Sequence, residues 1–101
     1  MMKLDKLAVT LREIKKSFGL DMTDLLILDD VARAQKAIGK VTIMELVESC
    51  EAASEATVHA RIKKLCDRKF LRKDSEQNNL RNKLLNFGPT YQKLVDVIGA
   101  L

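Results

Sequence analysis

A chain of 101 residues that is 47% hydrophobic and 32% charged has the composition of one soluble folded domain, residues 1–101, with no room for a second. Four Gly and one Pro are too few for a turn-rich sheet protein, and the longest apolar run, Leu25 to Leu28, falls far short of the roughly 18 residues a membrane span needs. The net charge is +4, and Lys3, Asp5 and Lys6 leave no apolar stretch for a secretory leader, so a cytoplasmic, mainly α protein is expected.

Leu4, Leu7, Ala8, Leu11 and Ile14 recur at three- and four-residue spacing among charged residues, which predicts an amphipathic helix ending near Phe18 and Gly19. Thr23 or Asp21 caps a second helix over residues 24 to 38. Its apolar residues, from Leu25 to Ile38, occupy nearly every side, which places it at the centre of the fold. Gly39 stops it, and Lys40 and Val41 form a short extended link. Thr42, followed at the third position by Glu45, is a capping box opening a short third helix whose Ile43, Leu46, Val47 and Cys50 face the core. Ser54 caps a fourth helix running to Lys69, with Glu55 set against the positive end of its dipole. Two such helices joined by a tight turn form a helix-turn-helix pattern. Beyond Phe70 the period changes: residues 70 to 75 and 82 to 87 predict two strands around the polar loop Glu76 to Asn79. Gly88 and Pro89 end this β-hairpin, and Thr90 opens a last helix in which Tyr91, Leu94, Val95 and Ile98 bury against the body.

Charge is concentrated late in the chain. Residues 1 to 53 hold eight basic and nine acidic side chains, whereas residues 54 to 101 hold ten basic and five acidic. Between Arg61 and Lys83 nine cations face only Asp67, Asp74 and Glu76. That density favours a polyanion, because each phosphate neutralised releases condensed counterions. An acidic protein partner and a merely solvated face are the competing readings.

The order of elements is that of a winged helix-turn-helix, about five helices plus a two-stranded β-hairpin wing. The sequence resembles the MarR family of bacterial transcription regulators. Val41-Thr42-Ile43-Met44-Glu45-Leu46 is similar to the opening of the family's first helix-turn-helix helix, and Ser54-Glu55-Ala56-Thr57-Val58 to the start of its recognition helix. Ile62, Leu65, Arg68, Phe70 and Leu71 match the passage into the first wing strand. Arg81-Asn82-Lys83-Leu84-Leu85-Asn86-Phe87, then Gly88 and Pro89, is similar to the second wing strand and its exit. The resemblance implies binding to double-stranded DNA, regulation of transcription, and dimerisation through terminal helices, here mainly residues 3 to 18.

At about 100° per residue, Val58, Ile62 and Leu65 cluster on one side of the fourth helix, leaving Ala56, Ala60, Lys63, Lys64 and Asp67 for a major groove. Base discrimination then falls to Thr57, His59, Lys63 and Lys64, while Arg61 and Arg68 lie at the flank, where phosphate contact is natural. Ser54 at the helix start and Arg72, Lys73, Arg81 and Lys83 on the hairpin complete the expected DNA-binding set. Charged residues on an edge strand also serve simply to prevent pairing. Ala56, Ala60 and Glu55 are weak choices for base readout, which keeps open a winged-helix module that binds an acidic protein of the transcription or replication machinery.

His59 and Cys66 stand seven residues apart, about 10 Å along a helix, too far to share a metal ion. Cys50 and Cys66 read as reduced core thiols, with a redox pair as the alternative. No glycine-rich phosphate loop and no paired acid/base spacing appears, so neither a cofactor, a metal nor an enzyme activity is expected. The stripe from Leu4 to Ile14 either completes the monomer's core or joins two copies as a homodimer.

Overall fold

The computed structural model describes residues 2 to 75 and 83 to 99. Its elements are α1 (Met2–Phe18), α2 (Met22–Ile38), α3 (Ile43–Ser49), α4 (Glu55–Asp67), β1 (Leu71–Ser75), β2 (Lys83–Phe87) and α5 (Pro89–Gly99). These five helices and one hairpin are the winged helix-turn-helix that the sequence predicts.

Side chains close most helix starts. Asp21, and not Thr23, is the cap of α2: its carboxylate accepts from the backbone N–H of Asp24, whose own carboxylate accepts from Asp21 N–H. Thr42 and Glu45 form the same reciprocal box on α3, and the Ser54 hydroxyl accepts from Thr57 N–H at the start of α4. Gly19 and Gly39, at φ +70° and +91°, let α1 and α2 stop in a left-handed turn. α4 ends two residues earlier than the sequence predicts, because Lys69 takes φ 67°. Phe70 N–H then donates to Leu65 and Lys69 N–H to Cys66, closing a Schellman motif.

β1 and β2 pair antiparallel, with Leu71 opposite Phe87 and Lys73 opposite Leu85. The link before α3 joins the sheet: Thr42 bridges Leu84, and Leu85 N–H donates to Val41 O at 2.9 Å. The strands begin at Leu71 and Lys83; Asn82 and the loop from Glu76 to Asn79 lie outside the described residues.

The core gathers Ile14, Leu20, Ile27, Val31, Leu46, Val58, Ile62, Leu65, Phe70, Leu71, Leu85 and Leu94, with Phe18 edge-on to Phe70 at 5.8 Å. Two expectations need correction. α2 is not apolar-buried on every side, since Met22, Leu26 and Ile38 are exposed along it. In α5 Leu94 is buried, but Val97 packs on the core in place of Ile98, which stays exposed. Three- and four-residue spacings from Leu94 are both inward on a helix, and the sequence does not choose between them. α1 packs on α5, and only the C-terminal half of α1 reaches the core: Ile14 is buried while Leu7 and Val9 are exposed. Among the described residues no helix is long and apolar enough to cross a membrane.

Candidate nucleic-acid interface

Val58, Ile62 and Leu65 anchor α4 to the core, and the opposite side presents Ala56, His59, Ala60, Lys63 and Asp67 to solvent. This face matches the periodicity of the sequence. Ala56 and Ala60 leave the helix backbone open to close approach, and His59 and Lys63 run along one side of that smooth strip. Ser54 is exposed and donates its hydroxyl to Thr57 Oγ1 at 3.0 Å, so the two hydroxyls satisfy each other at the helix start.

Arg61 and Lys64 point elsewhere. Arg61 Nη1 lies 2.6 Å from Asp21 Oδ2 and 3.2 Å from Asp24 Oδ1, and Lys64 Nζ lies 2.7 Å from Asp24 Oδ2. The geometry turns both side chains inward onto the N-terminus of α2, not out to a groove. Asp24 has no exposed surface, and its carboxylate accepts from Asp21 N–H, Arg61 and Lys64. A buried carboxylate is tolerable only when paired and hydrogen-bonded in this way. Partial burial opposes ionisation of Asp21. The Asp24 N–H and the Arg61 guanidinium outweigh it, with Lys64 adding attraction, and hold the carboxyl below its ordinary value. Asp21 foremost, and Asp24 with it, raise Arg61 further.

Arg68 remains exposed, yet one of its nitrogens donates to Phe18 O at 3.0 Å, at the carbonyl end of α1. Gly19 makes room for it, since a Cβ there would stand 2.1 Å from Arg68 Nη1.

On the hairpin, Lys73 and Lys83 share one face, diagonal to each other across the ladder, and Arg72 lies on the other. Arg72 donates to Asp74 through Nε and Nη2 at 3.2 and 3.1 Å. The Asn86 amide also donates to Asp74, and with Arg72 it holds that carboxyl below its ordinary value. Arg81 lies outside the described residues. A cavity of about 460 Å³ separates the end of α4 from the hairpin, with Lys69, Arg72 and Lys73 on its wall.

The sequence reading missed three residues that shape this surface. Lys69 is an exposed cation at the joint between α4 and the wing. Gln35 donates to Leu85 O and Asn86 Oδ1, tying the wing to α2. Asp24 grips α4. The sequence offers Asp21 as a helix cap, but nothing in it points to Asp24 or to its partners 37 and 40 residues away. Burial raises both the Cys50 and Cys66 thiols, which disfavours the reactive thiolate. Among the described residues no group of His, Cys, Asp and Glu could hold a metal ion.

The arrangement recurs among solved structures. MarR of Staphylococcus aureus, solved in complex with salicylate and kanamycin, superposes with a TM-score of 0.68 at 21% identity, over 93% of this chain and 59% of that one. A transcriptional regulator from Thermotoga maritima gives 0.66 at 17% identity, over 91% of this chain and 61% of that one. BpsR of Bordetella bronchiseptica, whose DNA binding is regulated by 6-hydroxynicotinic acid, gives 0.61 at 19% identity, over 98% and 74%. The chain thus has a MarR-like winged-helix fold and spans about three fifths of the length of the first two. No protein-family model and no curated protein sequence matches it.

Proposed function

We propose that the chain binds double-stranded DNA, with α4 in the major groove and the hairpin along the neighbouring backbone, and that it regulates transcription as a homodimer. The observation that carries this reading is the open face of α4: small Ala56 and Ala60 with His59 and Lys63 beside them, in a fold shared with transcription regulators. Thr57, His59 and Lys63 are the base-reading candidates, and Ser54 sits where the helix would enter. Phosphate contact falls to Arg68, Lys69, Lys73 and Lys83, with Arg72 partly neutralised by Asp74. Arg81 joins them on its charge alone. Arg61 and Lys64 leave the contact set, because their charges are spent on α2.

About five contacting cations per protomer give a slope of about −4 to −5 in log affinity against log salt. Fluorescence anisotropy with a duplex, a scrambled duplex and heparin at about 0.15 M salt checks this, and a slope near zero would remove the model. Heparin binding without duplex preference would reduce the protein to a polyanion binder. No binding to either would favour an acidic protein partner.

A further inference from the structure

Arg61 and Lys64 on α4 and Arg68 just past its end lie along one stripe, and all three hold the corner between α1 and α2. Arg61 and Lys64 converge on Asp24, the only buried charged residue among those described; Arg68 takes the Phe18 carbonyl. A buried ion pair adds little stability over an apolar pair of the same volume, and its best-attested use is to fix register. Here the register is that of a helix whose other face stands open. Two grips on one carboxylate, a helical turn apart, set the roll of α4 about its axis and so decide which side chains reach outward. They also spend two positive charges that would otherwise reach phosphate.

The geometry points to Asp24 as a positioning residue for DNA recognition: it fixes the roll of α4 and withholds Lys64, and together with Asp21 also Arg61, from the nucleic-acid backbone. This rests on the DNA-binding reading above. Asp24 touches no base or phosphate itself. It acts as an internal substitute for a phosphate, holding the two cations in an inward pose that the duplex does not have to order.

The test is the salt dependence of duplex binding by Asp24→Asn in the full chain, beside wild type. Release of Lys64, with Arg61 still held by Asp21, steepens the slope by about one and lowers the ratio of specific to scrambled affinity. A folded variant with slope and ratio unchanged would overturn the proposal. Should Asp24→Asn not fold, Lys64→Gln decides, since Arg61 still pairs the carboxylate. Its expected slope equals that of wild type with a reduced ratio, and a slope shallower by about one would place Lys64 on phosphate and overturn the proposal. A DNA-free arm separates this inference from the reading beneath it. In urea unfolding, Arg61→Gln and Lys64→Gln together should lower the folding constant at least about fivefold beyond the product of the single effects, because only the pair strips Asp24 of every cation. Additive losses would overturn the clamp. Strong coupling in a wild-type chain that ignores duplex would keep the clamp and discard DNA as the ligand.

Discussion

Lys69 is the one described non-glycine residue with positive φ, and its side chain stands exposed where α4 meets the hairpin. An L-residue in that region costs about 1 to 2 kcal/mol relative to its ordinary conformations, and glycine avoids the penalty. Lys69→Gly is therefore expected to stabilise the fold by about 1 kcal/mol in urea unfolding while weakening specific and scrambled duplexes alike. A cation on phosphate predicts both effects; a residue with no contact predicts only the first. Acid should expose another single residue. Asp21 titrates below its ordinary value of 3.8, so its contribution is fully present above about pH 4 and lost as pH falls through the lowered value. Asp21→Asn should lower the urea midpoint at pH 7, and the gap to wild type should narrow as pH falls below 3.8. Neither residue's role was legible in the sequence. Lys69 looked like the last residue of a helix and Asp21 like a cap, because the φ of one and the Arg61 partner of the other depend on chain far from them.

Helix boundaries were far more legible, and for a physical reason. Thr42 with Glu45, and Ser54 ahead of Thr57, satisfy donors within three residues, so the chemistry that ends the element is written beside it. Joints between elements are not. Gly88 shows the difference: at the junction of β2 and α5, a Cβ there would stand 2.3 Å from Lys69 O and 2.8 Å from Lys69 C. Those are backbone atoms, fixed by Phe70 O accepting from Gly88 N–H and Lys69 O accepting from Thr90 N–H, and they cannot step aside. Gly88→Ala should destabilise the protein by about 1 to 3 kcal/mol, read from its urea midpoint, with the wing displaced from α4. The sequence marked Gly88 only as punctuation. The same limit hid Gln35, whose amide crosses from α2 to β2 over a separation of 50 residues.

At the scale of the whole molecule, α2 is the frame. Asp24 near its start holds α4, and Gln35, eleven residues on and about 16 Å along the axis, holds β2. α4 and β2 are therefore spaced by one rigid rod. The Cα radius of gyration, 14.0 Å, exceeds the ~13 Å usual for this length, in keeping with the elongated extents of 48 × 26 × 25 Å. Residues 5 to 9 of α1 are all exposed, and Leu7 among them and Ile98 on α5 are more than 40% exposed. Sedimentation at several concentrations should show a dimer, and Leu7→Glu should shift it to monomer with circular dichroism unchanged. A monomer at every concentration would leave the chain one half-site and weak binding.

Arg68 carries this one step further. Its guanidinium joins the last carbonyl-bearing turn of α1 to the last turn of α4. Were two chains to associate through α1 and bind a duplex through α4, as proposed, pairing and recognition would share that joint. Thermodynamic reciprocity then requires that an operator tighten the union of the two copies by the same factor by which their union tightens the operator.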